Sequence, residues 1–314
     1  MALETVVLRD ETTGSTAKIL PGFGFNCYGF TPVVNGEPIE ALWAVPDFDS
    51  GQQRPSRSGT PLLFPFAGRI RGTQYTYQGR TYELEPADPQ GNAIHGFVMN
   101  RPWKVVEQSG QRVVGQFRLS EASPSIIHRW PADFIISIAY ELRGNHLSTE
   151  INIVNPDDKP LPFGFGMHSY FRVPIGRGKA EDCLITVPVS ERWPLEGLLP
   201  TGAREPATGK YDLASGVRFG DATFDDVFSG LANKTGNNVS EIHDPTSGRT
   251  LRTTFGPGFE AVVVFVAPHR EAMCIEPYTA LPDFFNLEAR GIDSGMIVLP
   301  PGESKRYQVS FEVT

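Results

Sequence analysis

A chain of 314 residues with a net charge of −8 and a pI of about 5.3 is long enough to bury a substantial core, as one large all-β domain or two average ones. No block of lysines and arginines stands out, which argues against nucleic acid as a partner. The stretch Met1 to Asp10 lacks a basic region followed by an apolar run, and no later segment reaches bilayer-spanning length; the expectation is a soluble, cytoplasmic protein without membrane contact.

Glycine and proline, 32 and 27 residues, cut the chain into short pieces that alternate with period two, the pattern of strands joined by turns. Tyr75 and Tyr77, the turn Gln78-Gly79-Arg80, then Tyr82 and Leu84 predict a first hairpin. Phe134, Ile136, Ile138 and Tyr140, a tight turn at Gly144-Asn145, then Leu147, Thr149, Ile151 and Ile153 predict a second. The segment from Gly202 to Asn238 is polar and weakly patterned, and reads as a loop-rich excursion. A third hairpin is expected from Thr253–Phe255 through Gly256-Pro257-Gly258 into Ala261–Val266. Tyr307, Val309, Phe311 and Val313 alternate with polar residues and close the chain with a half-buried strand. No window of ordinary helix length carries a 3.6-residue stripe. Many antiparallel strands without a helical layer must bury their faces against another sheet, so the fold class is all-β, a large antiparallel β-sandwich. No linker or repeat divides it, and residues 1–314 are expected to form a single domain.

Cys27, Cys183 and Cys274 are far apart and odd in number, which argues against a disulfide framework and against a clustered metal site. There is no Gly-x-Ser-x-Gly elbow, Walker loop, dinucleotide fingerprint or His-Glu-x-x-His helix. What remains is a set of segments with polar groups in apolar or turn-rich settings. Gly59 to Ile70 ends with Arg69, whose planar fork suits vicinal hydroxyls or a carboxylate. Asn92-Ala-Ile-His-Gly-Phe97 places His95 after the loop Pro86 to Gly91, with a glycine beside it that would let a ligand come close. Phe163-Gly-Phe-Gly-Met-His-Ser-Tyr-Phe-Arg172 sets His168, a side chain that gives or takes a proton near neutrality, among aromatics. In an extended run, Tyr170 shares a face with His168 while Phe165 and Phe171 point to the core. Phe224-Asp-Asp-Val-Phe228 holds a carboxylate pair between aromatics. Cys274-Ile-Glu-Pro-Tyr-Thr279 holds Glu276 at the end of an apolar strand, where desolvation raises its pKa and makes it a usable base. His95, His168 and Glu276 are also a set that a cupin-like metal site would need.

Taken in order, Phe64-Pro65 with Gly68-Arg69-Ile70, Ala93-Ile-His-Gly-Phe97 followed by Trp103, His168-Ser-Tyr-Phe171, Asp225-Asp-Val-Phe228 and Ile275-Glu-Pro-Tyr-Thr279 make the chain resemble the aldose 1-epimerase (mutarotase) family over residues 59–279. The resemblance implies a galactose-mutarotase-like supersandwich that needs no cofactor and no metal, working on a small-molecule aldose as a monomer or homodimer. It also implies roles: Glu276 as the base at the anomeric hydroxyl, His168 as the acid at the ring oxygen, and His95, Arg69 and Asp225 as substrate-binding residues, with Asp225 preferred to Asp226. Familiar galactose mutarotases carry Asn-x-Tyr-Phe-Asn-like text around the acid. Here Arg172 follows the aromatic pair, so galactose does not follow as the substrate. Arg69, Arg71 and Arg172 could instead hold a hexose 6-phosphate, or Arg71 and Arg172 are solvated bystanders. A non-catalytic sugar-binding protein on the same scaffold and a metal-dependent isomerase or oxygenase are the competing functions.

Overall fold

The computed structural model describes residues 2–314. Two antiparallel sheets dominate it. One has nine strands, from edge to edge Lys104–Gln108, Arg112–Arg118, Ile135–Arg143, His146–Val154, Ser304–Val313, Arg249–Phe255, Asn238–Asp244, Leu184–Thr186 and Val217–Arg218. The other has eight: Glu205–Pro206, Glu191–Trp193, Asp225–Ser229, Ala261–Val266, Ala272–Tyr278, Gly166–Met167 and Leu62–Leu63 in order, with Tyr170–Arg172 also paired to Ala272–Tyr278. The described α-helices are two short pieces, Leu119–Ala122 and Phe284–Ala289. None of the described helices is long and apolar enough to cross a membrane.

The alternation in the sequence is what selects this arrangement. Along Ile135–Arg143 and His146–Val154 the residues Ile136, Ile138, Tyr140 and Leu142 face Leu147, Thr149, Ile151 and Ile153, all buried, around a turn whose Gly144 has φ 58°. The hairpin Gln74–Tyr77 with Arg80–Glu83 turns through Gln78 and Gly79, both at positive φ, the conformation a two-residue turn requires. The sandwich closes where Phe171 meets Phe311 edge to face, with ring centroids 5.1 Å apart, and where Phe165 stacks near Tyr307. Burying each such ring contributes about 1.5–3 kcal/mol.

Two expectations need correction. Arg249–Phe255 and Ala261–Val266 are not a hairpin: the former pairs with Asn238–Asp244 and Ser304–Val313, the latter with Asp225–Ser229 and Ala272–Tyr278. Gly256-Pro257-Gly258 carries the chain from one sheet to the other, and both strands keep their buried faces by joining different layers. The polar excursion from Gly202 to Asn238 does hold loops and 3-10 turns, but Asp225–Ser229 within it is an interior strand of the eight-stranded sheet.

Period two gives the eight-stranded sheet two distinct faces. Met273 and Ile275, Val262, Val264 and Val266, and Phe228 point into the main core. The opposite face is built of Cys274, Glu276 and Tyr278, of Val263 and Phe265, and of Asp225 and Val227, aligned in rows by the registers Asp225↔Phe265↔Cys274↔Tyr170 and Val227↔Val263↔Glu276.

Candidate active site

That second face is the floor of a cavity of about 280 Å³, walled by Arg54 to Arg57, Arg69, Asp88, His95, Met99, Leu195, Leu198 and Pro282. Its size is close to the lower end of small-ligand clefts, about 300 Å³. All five residues singled out above, Arg69, His95, His168, Asp225 and Glu276, line it.

Glu276 sits at the bottom, 1% exposed, on the strand Ala272–Tyr278. Tyr278, two residues on and therefore on the same face, donates its hydroxyl to Oε2 at 2.7 Å. His168 lies in the short break between Gly166–Met167 and Tyr170–Arg172, so the run is not one continuous strand. Its backbone N–H bonds the Pro61 carbonyl at 3.0 Å, and its ring stacks on Tyr170, centroids 4.9 Å apart and planes 4° from parallel. The division of faces nevertheless holds: Tyr170 is beside His168, and Phe165 and Phe171 are in the core. His168 Nδ1 is 3.3 Å from Glu276 Oε1, in contact but not aligned as a hydrogen bond, and has no other partner.

Electrostatics follow from this burial. Desolvation pushes Glu276 well above the usual carboxylate range, with the Tyr278 hydroxyl opposing the rise. Desolvation pushes His168 down to about 3. Burial thus disfavours the charged form of both groups. His95, 5.5 Å from His168 by ring centroids, is held well below its ordinary value by burial, then by His168 and Arg69. It enters the cavity neutral. Asp225 reaches solvent at the lip, yet the surrounding walls raise its pKa, with Arg69 opposing.

The ribbon formed by Arg69–Ile70 and Ala93–Ile94 brings Arg69 next to His95. Arg69 Nε donates to Asp88 Oδ2 at 2.8 Å, which leaves both η nitrogens free to meet a ligand. His95 is itself in the left-handed region, φ 63°. Gly96 is not there to admit a ligand: a Cβ on it would lie 2.1 Å from the Phe64 carbonyl oxygen, and its φ is 72°. The glycine lets two backbones close on each other and so fixes the angle of His95.

Asp226 points away from the cavity to the Arg192 guanidinium, 2.8 Å away, so strand alternation leaves Asp225 as the carboxylate of that pair that faces it. Arg71 lies 3.8 Å from Asp283 and Arg172 3.0 Å from Glu40; neither lines the cavity. All three cysteines are free and buried, and Cys274 lies two residues before Glu276 on the same face of its strand, fully buried beneath the cavity lining.

A family model for aldose 1-epimerase matches residues 31–312. The chain belongs to the aldose 1-epimerase family. It is 26% identical over 190 residues to the aldose 1-epimerase of Escherichia coli, covering 59% of this chain and 53% of that one. It is 24% identical over 260 residues to the uncharacterized protein YphB of the same organism, covering 80% and 82%. The crystal structure of a galactose mutarotase-like protein from Clostridium acetobutylicum superposes with a TM-score of 0.86 at 22% identity, over 100% of this chain and 99% of the other. This last likeness carries the fold and leaves the sugar open.

Several cavity residues of this aldose 1-epimerase homologue escape a reading of motifs. Tyr278 carried a signal, since period two puts it on the face of Glu276. Asp88 did too: Asp-Pro-Gln-Gly-Asn is turn sequence, and Asp88 accepts the backbone N–H groups of Gln90 and Asn92 and the Asn92 amide as well as Arg69. Arg54 and Arg57 carried none. Their loop reaches the cavity because the Tyr170 hydroxyl holds the Ser56 carbonyl at 3.1 Å, a contact between residues 114 positions apart.

Proposed function

We propose that the protein is a mutarotase that interconverts the α and β anomers of a hexose by acid/base ring opening, with Glu276 and His168 as the reacting pair. The observation that carries this reading is the 3.3 Å approach of His168 Nδ1 to Glu276 Oε1 on the floor of a sugar-sized cavity. O1 and the ring oxygen of a pyranose are both bonded to C1, so two groups this close can address both at once. The reactive form is the ionised one, imidazolium beside carboxylate. At an effective dielectric of about 20, the attraction across 3.3 Å is worth about 5 kcal/mol, which offsets part of the desolvation cost of reaching it.

Glu276 takes the O1 proton, the C1–O1 double bond forms, the C1 bond to the ring oxygen breaks, and His168 delivers its proton to that oxygen. Rotation about C1–C2 turns the aldehyde, and the same transfers in reverse close the ring on the other face. No proton is gained or lost over the cycle. His95, neutral, donates to or accepts from a neighbouring hydroxyl, the η nitrogens of Arg69 donate to hydroxyls, and Asp225 accepts from a hydroxyl at the lip. Their contribution is orientation.

A second reading, a hexose with an anionic group far from C1, is supported by Arg54 and Arg57. Both line the cavity, and neither takes part in an ion pair among the described residues, unlike Arg71 and Arg172. Polarimetry or NMR on fresh α-D-glucose, α-D-galactose and their 6-phosphates, with and without chelator, tests both. Acceleration above buffer is expected. Binding with no acceleration of any of the four would establish a sugar-binding module instead, and loss on chelation a metal-dependent enzyme.

A further inference from the structure

We infer that His168, Cys274 and Glu276 form a binding site for a soft divalent cation, Zn²⁺ or an analogue, that shuts the reacting pair by occupying it. Cys274 and Glu276 lie two residues apart on one face of the strand Ala272–Tyr278, and Tyr170, two residues past His168, is paired directly with Cys274. One ligand atom from each of the three lies within 4.8 Å of the others, and all three residues are buried. His168 is 8% exposed, and its Nδ1 faces this cluster without a hydrogen-bond partner.

Ligand atoms around tetrahedral zinc stand roughly 3.3–3.8 Å apart, given metal–ligand distances of about 2.0–2.3 Å. The separation of His168 Nδ1 and Glu276 Oε1, 3.3 Å, already fits; the remaining contraction is within reach of side-chain torsions. Thiolate, imidazole and carboxylate together select a zinc-like ion over magnesium or calcium. Three protein ligands leave a fourth position open to the cavity. Burial keeps the Cys274 thiol protonated in the metal-free protein. Binding therefore releases the thiol proton to solvent, with no change of oxidation state. A sugar and the ion cannot use His168 and Glu276 together.

The test is titration of the full-length protein with Co²⁺. A near-ultraviolet thiolate-to-cobalt charge-transfer band is expected at one equivalent, absent in Cys274→Ser and retained in Cys27→Ser and Cys183→Ser. No band, or an equal band in Cys274→Ser and Cys274→Ala proteins of native circular dichroism, overturns the site. The kinetic arm rests on the mutarotase reading and the spectroscopic arm does not. Zn²⁺ should abolish anomer interconversion reversibly on adding EDTA, with Cys274→Ser keeping its metal-free rate and needing about tenfold more Zn²⁺ for half inhibition. Unchanged sensitivity in that variant overturns the assignment of the thiol as a ligand.

Discussion

The hydroxyl of Tyr278 is bonded to Oε2 of Glu276 at 2.7 Å, while Oε1 of the same carboxylate faces His168. One oxygen is held and the other is left for chemistry. The bond strengthens as Glu276 ionises, which in the proposed mechanism makes Tyr278 a positioning residue for the base. Tyr278→Phe should lower kcat about 10–100-fold, corresponding to about 1.5–3 kcal/mol for a charge-assisted hydrogen bond, with KM nearly unchanged. Polarimetric progress curves at several sugar concentrations separate the two constants.

Removing either member of the proposed reacting pair should have a larger effect. Glu276→Gln and His168→Asn should each lower the interconversion rate about 10²–10⁴-fold while leaving the circular dichroism spectrum native. Sugar binding measured by calorimetry should persist in both. A variant that binds sugar and turns over at the wild-type rate would remove that residue from the mechanism.

The adjacent aspartates should separate cleanly. Asp225→Asn leaves the sheet intact and raises KM, because the side chain faces the cavity. Asp226→Asn breaks the pair with Arg192 and should lower the urea midpoint with little change in KM. Asp88→Ala should behave like Asp225→Asn, since it frees the Arg69 guanidinium from its anchor.

Gly96→Ala should be among the most damaging small substitutions in the chain. Its Cβ meets backbone at Phe64, at 2.1 Å from O and 2.3 Å from C, in a conformation with φ 72° that alone disfavours alanine by about 1 kcal/mol or more. Denaturant unfolding should show a loss of at least about 2 kcal/mol, and the displaced His95 should raise KM.

Stability in acid is expected to depend on Asp10. Its carboxylate accepts the backbone N–H of Gly144, Thr12 and Thr13 and the Thr13 hydroxyl. The Gly144 bond is the largest cause of a pKa below the ordinary value, followed by the Thr13 N–H. A pKa lowered in the folded state means that the stabilisation is complete above the unfolded value and is lost as pH falls through the folded one. The Tm difference between wild type and Asp10→Asn should thus be full at pH 7 and vanish in strong acid; a difference independent of pH would show that the charge is not responsible.

Much of the site was legible because the chemistry sits in short local motifs. Glu276 and Asp225 belong to strands whose alternation can be counted, and His168 and Tyr170 keep their common face although the run around them breaks. Sheet membership was less legible. Thr253–Phe255 and the continuous apolar run Ala261–Val266 both read as strands, but a strand's own sequence is silent about which sheet it joins. The turn between them contains glycine and proline in either case. Arg54 and Arg57 were hidden for the same reason: their place is set by the Tyr170 hydroxyl on Ser56, a contact that no spacing rule encodes.

The strand Ser304–Val313 lies between His146–Val154 and Arg249–Phe255 in the middle of the nine-stranded sheet. A chain lacking residues 304–313 would therefore hold two half-sheets with open, facing edges, and the layer that backs the cavity floor would be incomplete. Two strands with long unpaired edges are a template for wrong partners, and deleting residues 304–313 should yield an aggregation-prone product.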